Sequence, residues 1–214
     1  MPGRLIVFEG SEGAGKSTQI GLLATRLARA GQKHVVVREP GGTPLGDEIR
    51  RLLLEPGGDV SPRAEALLFM ASRAQLVERV VRPALEREDF VLVDRFFLST
   101  YAYQGAGRGL REEDLRAANH MASAGLVPDL TLLLSLPATE GLSRAARRGG
   151  PDRMESAQLD FHERVSKAFT MFATEPWQRA HPECGPIVIV DAAGSPDDVF
   201  ARVLSAVRKR WPGV

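Results

Sequence analysis

The residues Gly10-Ser11-Glu12-Gly13-Ala14-Gly15-Lys16-Ser17 follow the apolar run Leu5-Ile6-Val7-Phe8 and precede a helix-like stretch over 18–30. A strand that runs into a glycine-rich turn and then into a helix is a narrow specification. The glycines let successive backbone N–H groups curl around an anion at the start of the helix, where the orphan amides already favour negative charge. Lys16 is spaced to reach the outer phosphates of a di- or triphosphate, and the Ser17 hydroxyl to ligand Mg²⁺. A ligand-free turn would also use glycine, but the strand before and the helix after are the context that the phosphate-binding motif demands.

The rest of the chain agrees with a βα alternation. Apolar runs over 4–8, 34–38, 90–94, 130–136 and 186–191 read as five strands, most of them continuous enough to be covered on both faces of a parallel sheet. Helical patterns over 61–85, 111–124, 139–148, 155–179 and 196–210 lie between them, with a further helix starting near Thr43. Ser61-Pro62 offers an N-cap with proline at the first helical position, and Ser195-Pro196-Asp197-Asp198 adds acidic residues to a first turn. Gly149-Gly150-Pro151 breaks the region between the fourth and fifth strands and suggests a hinged flap.

Composition limits the function classes. The 214 residues and 43% hydrophobic content suit a single domain over 1–214 with an ample core. A net charge of +1 argues against a generic nucleic-acid or membrane-surface binder, so phosphate recognition here must be local. No stretch approaches about 18 uninterrupted apolar residues and no secretory h-region opens the chain, so the expectation is a soluble, cytoplasmic protein. The single Cys184 permits no internal disulfide and suggests no zinc site. Only four of the 28 basic residues are lysines, and one of the four is Lys16; arginine suits bidentate phosphate contacts.

Three further signals carry chemistry. Val91-Leu92-Val93-Asp94-Arg95 ends an apolar strand in a carboxylate and a guanidinium, at the strand end where ligands gather in such sheets; Asp94 can orient a Mg²⁺ shell and Arg95 can hold a phosphate. Arg38 ends the second strand, expected to lie beside the first, before Glu39-Pro40-Gly41-Gly42-Thr43, and can meet an anionic substrate at the same crevice. Phe69 and Arg73 are four apart on one helix and share a face. Together they can grip a flat base, although periodicity alone favours Phe69 in the core and Arg73 at solvent.

In order along the chain, these segments resemble the bacterial thymidylate kinases, a branch of the P-loop nucleoside monophosphate kinases. The resemblance runs from Phe8-Glu9-Gly10 through Lys16-Ser17-Thr18, Arg38-Glu39-Pro40-Gly41-Gly42-Thr43, Leu68-Phe69-Met70-Ala71-Ser72-Arg73, Asp94-Arg95-Phe96, Ser99-Thr100-Tyr101-Ala102-Tyr103-Gln104-Gly105 and Pro128-Asp129 to Asp152-Arg153-Met154-Glu155. It implies a three-layer α/β/α fold with a five-stranded parallel sheet and a helical LID over about 141–155. It implies transfer of the γ-phosphoryl of ATP to dTMP with Mg²⁺, giving dTDP for dTTP synthesis, in a homodimer that uses no nucleic acid or membrane.

The same resemblance assigns roles. ATP lies on Gly10 to Thr18, including Ser11, Glu12, Gly13, Ala14 and Gly15, with Arg144 near the adenine or outer phosphates. Phe69 stacks on thymine, Arg73 bonds a ring carbonyl, Thr100 and Gln104 read the base edge, and Tyr103 disfavours a ribose hydroxyl. Arg38 and Arg95 hold the acceptor phosphate, and Glu12 contacts the 3′-hydroxyl or a metal-bound water. Ser17 and Asp94 serve the metal, while Lys16 and Arg95 act catalytically.

Some members of the family carry an arginine inside the P-loop, and this chain has none at Ser11, Glu12, Gly13 or Ala14. The LID arginines Arg148 and Arg153 are the expected substitutes. Phe169 stands where relatives often have Tyr. Apolar positions on the 61–85 and 111–124 helices suit either a dimer contact or the core. Two alternative readings are another nucleotide kinase, which would keep Lys16, Asp94 and the LID but lack the Phe69, Arg73 and Gln104 set, and an NTPase switch acting through a partner, against which stand the absence of an Asn-Lys-x-Asp guanine motif and the Arg-rich lid.

Overall fold

The computed structural model describes residues 3–55, 58–146, 153–154 and 158–214. Five strands, β1 (Arg4–Glu9), β2 (His34–Arg38), β3 (Phe90–Asp94), β4 (Leu130–Ser135) and β5 (Ile187–Asp191), form one parallel sheet in the order β2-β3-β1-β4-β5. All five lie where the apolar runs predict them.

Alternate residues of the inner strands feed two cores. Leu5, Val7, Val91, Val93 and Leu133 face one side with α3 (Pro62–Leu76) and α8 (Leu159–Phe172), whose Phe161, Val165, Phe169 and Phe172 recur at helical spacing. Ile6, Phe8, Leu92, Leu130, Leu132 and Leu134 face the other with α1 (Lys16–Arg29) and α10 (Pro196–Arg210), which contribute Ile20, Leu23, Leu27, Val199, Val203 and Val207. This gives the three layers expected. The edge strands are less covered: Val36 on β2 and Ile189 on β5 are about half exposed.

Between β2 and β3 run α2 (Pro44–Leu54), α3 and α4 (Arg82–Glu86); α5 (Phe97–Thr100) and α6 (Glu112–Ser123) follow β3; α7 (Ala138–Ala146), α8 and α9 (Glu175–Ala180) separate β4 from β5. The helix expected over 61–85 is interrupted. A π-helical turn at Val77–Val81 joins α3 to α4 just before Pro83, whose ring and missing N–H a regular helix cannot absorb. The helix expected over 155–179 also divides: Thr174 is extended and starts α9, and Pro176 in its first turn cannot continue α8. Residues 155–157 of that expectation lie outside the described residues.

Ser195 closes a capping box with Asp198. Ser61 occupies the cap position of α3 but makes no side-chain capping hydrogen bond. Thr43, not singled out as a cap from the sequence, accepts from Gly46 N at the start of α2. Of the expected LID, α7 and the pair Arg153-Met154 are described; Gly149-Gly150-Pro151 and Arg148 are not. Among the described residues no helix is long and apolar enough to cross a membrane.

Candidate active site

The in-register pairs Phe8 with Asp94 and Arg38 with Asp94 bring the C-terminal ends of β1, β2 and β3 level. A cleft of about 210 Å³ opens there, and its walls include Glu12, Gly13, Gly15, Lys16, Ser17, Phe69, Arg73, Asp94, Arg95, Thr100, Tyr103 and Gln104. These are twelve of the residues singled out from sequence, drawn from four separate segments.

At the loop end, Gly15 caps α1 in the left-handed region, φ 88°. Lys16 Nζ donates to Gly10 O at 3.0 Å and Ser11 O at 2.9 Å. Burial and the neighbouring Arg95 pull its pKa down to about 8, against the pull of Asp94, Glu12 and Glu9. Ser17 Oγ donates to Asp94 Oδ2 at 2.8 Å, so the hydroxyl and carboxylate expected at a metal are adjacent. Among the described residues no cluster of three or more His, Cys, Asp or Glu is arranged to hold a metal unaided. Gly13 is required by close approach: a Cβ there would lie 2.0 Å from Gly141 O of α7.

Arg95 leaves β3 with φ 72°, a left-handed turn unusual for a side-chain-bearing residue. The turn brings its guanidinium back over the loop, where it donates to Gly10 O at 3.2 Å, Ser99 Oγ at 3.0 Å and Glu12 Oε1 at 2.9 Å, with Tyr103 under it at 5.0 Å. Tyr103 donates its hydroxyl to Glu12 Oε2 at 2.5 Å. Burial disfavours the Glu12 carboxylate, but Arg95, Lys16 and the Tyr103 hydroxyl outweigh it and hold its pKa below the ordinary value. Burial also opposes charge on Arg95; Tyr103, Glu12, Asp94 and Glu9 reverse that and raise its pKa.

At the other end Phe69 is half-buried on the wall, while Arg73 is only 2% exposed. The outcome is the opposite of a core phenylalanine with a solvent-seeking arginine. Arg73 commits all five N–H donors to protein: Nε and Nη2 to Glu39 Oε2 at 2.8 and 2.5 Å, Nη2 to Phe96 O at 2.9 Å, and Nη1 to Thr100 Oγ1 at 3.1 Å and to Asn119 Oδ1. A base carbonyl bonded by Arg73 therefore shares one of these donors. Gln104 donates Nε2 to Glu65 Oε1 at 3.0 Å.

Among the other expected residues that are described, Arg38, Arg144, Arg153 and Thr18 are not among the cleft walls. Arg38 stands at the correct strand end but is exposed. Arg144 donates to Ala192 O at 3.3 Å and Glu140 Oε1 at 2.5 Å. Arg153 donates Nε to Leu53 O at 2.7 Å and Nη2 to Glu65 Oε2 at 2.7 Å, away from the P-loop partners. Thr18 sits on α1 outside the walls, and Arg148 lies outside the described residues.

Three positioning carboxylates escape sequence reasoning. Glu9 is fully buried and accepts from Phe96 N at 2.7 Å, Ser99 N at 3.1 Å and Ser99 Oγ at 2.6 Å, pinning the start of α5. Glu39 holds Arg73; burial first, and Glu9 with it, raises its pKa although Arg73 pulls the other way. Glu65 holds Gln104. A Glu after an apolar strand, as at Glu9, is weak by itself; its signal was the rarity of a charge inside an otherwise continuous buried segment.

A phosphate loop between β1 and α1, a carboxylate at the end of β3 touching the loop serine, and a second lobe of the cleft lined by an aromatic ring and amide and hydroxyl groups define the class of P-loop nucleotide kinases. Comparison with known sequences narrows the class. A profile of the thymidylate kinase family matches residues 8–202. The chain is 48% identical to a thymidylate kinase of Deinococcus radiodurans, covering 97% of this chain and 98% of that protein. It is 48% identical to one from Synechococcus over 97% of this chain and 95% of the relative, and 47% identical to one from Desulfovibrio desulfuricans over 98% and 99%. The chain belongs to the thymidylate kinase family.

Proposed function

We propose that this chain transfers the γ-phosphoryl group of ATP to dTMP, giving dTDP and ADP. One observation carries the reading: a single cleft has the P-loop, Lys16, Ser17 and Asp94 at one end and Phe69, Thr100 and Gln104 at the other. Phosphoryl transfer asks a protein mainly to align two substrates and to oppose their charge. In this reading the ATP phosphates lie on the amides of Gly10 to Thr18 with Lys16 across them, and the acceptor base stacks on Phe69 with Thr100 and Gln104 at its edge.

The acceptor phosphate then meets Arg95, with Arg38 approaching from the end of β2. Glu12 keeps Arg95 and Tyr103 in one hydrogen-bonded set, and Tyr103 crowds the sugar. Ser17 and Asp94 would hold Mg²⁺: two oxygen donors suit a hard cation whose other ligands are phosphate oxygens and water. Bound there, Mg²⁺ would supply charge neutralisation between the phosphates. Arg153 joins the catalytic charge only after leaving Glu65 and Leu53 O, whereas Arg95 already lines the cleft.

The homodimer is part of the same proposal. Buried apolar positions of α3 and α6 serve the monomer, but Leu67 and Met121 on those helices are 63% and 77% exposed, which supports a contact between copies; light scattering should give the mass of two chains, and a monomer at working concentration contradicts it. The reaction is tested by ADP release with Mg-ATP and a panel of dTMP, dUMP, dCMP, dGMP, AMP and UMP, with products separated by chromatography. Preferred turnover of dTMP to dTDP is the expected result. Preference for another monophosphate would retain the kinase and remove the base assignment.

A further inference from the structure

Glu65 has 0% of its surface exposed, on the inner face of α3, and among the described residues its side-chain hydrogen-bond partners are all donors. Oε1 accepts from Gln104 Nε2 at 3.0 Å and from Arg108 Nε at 3.3 Å; Oε2 accepts from Arg108 Nη2 at 3.1 Å and from Arg153 Nη2 at 2.7 Å. No sequence signal marked it, and it touches neither the P-loop nor the cleft walls' phosphate end. What it does touch is the one carboxamide among the residues assigned to the base edge.

A carboxamide can present either its oxygen or its NH₂ group, and the two ends read opposite chemistry. A carboxylate is an acceptor only. Facing Glu65, Gln104 must turn its Nε2 inward, because Oε1 against Oε1 would bury two acceptors together without a proton between them. Gln104 lines the cleft, and among the described residues no donor reaches its Oε1. Beside it the wall supplies the N–H groups of Arg73, and Thr100 Oγ1 takes one of those donors.

We infer that Glu65 is a positioning residue that fixes Gln104 as a hydrogen-bond acceptor, and thereby selects a 2,4-dioxopyrimidine over a 4-aminopyrimidine. The inference rests on the dTMP reading of the cleft. A dioxopyrimidine edge offers a donor, N3–H, between two carbonyl acceptors, and N3–H meets Gln104 Oε1 while the 4-carbonyl meets the Arg73 side. A 4-aminopyrimidine has an acceptor at N3 and a donor at position 4, so both contacts become like against like. Selection by polarity of buried groups discriminates far more strongly than a change in pocket size.

The test is kcat/KM for dTMP and for dCMP in wild-type protein and in Glu65→Gln. A glutamine at 65 can donate to Gln104 Oε1 and lets the Gln104 amide reverse. The expected result is a fall of at least about tenfold in the dTMP-to-dCMP ratio, with dTMP lost and dCMP gained, and KM for ATP unchanged. A role in packing alone would lower both monophosphates together and leave the ratio as in wild type, which overturns the inference. Should E65Q fail to fold, Glu65→Asp keeps the charge between Arg108 and Arg153 but draws its oxygens one methylene back from Gln104; the ratio must fall there too, and an unchanged ratio again overturns it. A wild-type protein that phosphorylates neither dTMP nor dUMP would instead remove the reading on which the inference rests.

Discussion

Phe69 and Arg73 share one face of α3, yet the fold uses them in opposite ways. Phe69 keeps part of its ring open to the cleft, whereas Arg73 is buried behind it as a strut between Glu39, Phe96 O, Thr100 and Asn119. Periodicity places both on one face and by itself favours Phe69 in the core with Arg73 at solvent, the reverse of what the fold does. The missing information was the carboxylate: Glu39 lies 34 positions away in sequence, and only the fold shows that it stands where Arg73 can be buried with a partner. The ring is therefore the exposed element of the pair, and base–aromatic stacking contributes about 1–3 kcal/mol. Phe69→Ala should raise KM for dTMP by about 5- to 150-fold while KM for ATP stays within about twofold. Equal rises for both substrates would show that Phe69 supports the fold of the cleft rather than the base.

At the scale of elements, the site depends on junctions that local patterns describe poorly. Thr100, Tyr103 and Gln104 lie where the four-residue α5 passes into a π-helical turn at Tyr101–Gly107. No helix was legible there, because Phe96-Phe97-Leu98 and the glycines that follow show neither a 3.6-residue nor a two-residue period. Buried Glu9 supplies the order instead, accepting the amides that open α5. A second junction joins α7 to the P-loop: a Cβ on Gly141 would stand 2.5 Å from Glu12 O, so two glycines, Gly13 and Gly141, permit the approach. Gly141→Ala must push α7 or the loop aside. We expect kcat/KM to fall at least tenfold for both substrates and the melting temperature to drop by about 2–10 °C, since overpacking costs about 1–3 kcal/mol. Wild-type turnover together with an unchanged melting temperature would contradict that contact.

For the whole molecule, the sheet was the most legible part, because inner strands buried on both faces must be apolar at every position and their boundaries then stand out. Strand order was not legible: the second strand, expected beside the first, is separated from it by β3, and it is strand order that makes the site. With β1 central and β3 beside it, Gly10, Asp94 and Arg95 converge, and β2 carries Arg38 to the same edge. Gly10, Asp94 and Arg95 therefore meet at one place, while Arg38 reaches the same edge and stays exposed. Arg153 did not join them: it was assigned by its place in the LID, and the folded chain gives it a carboxylate partner in Glu65 that sequence distance concealed. In this molecule ATP and a pyrimidine nucleotide are brought into line and a phosphoryl group passes directly between them. The most direct test follows the label from γ-³²P-ATP in the presence of dTMP and Mg²⁺: the label should appear in dTDP, in step with ADP and dependent on dTMP, whereas label released as inorganic phosphate at a rate indifferent to dTMP would contradict it.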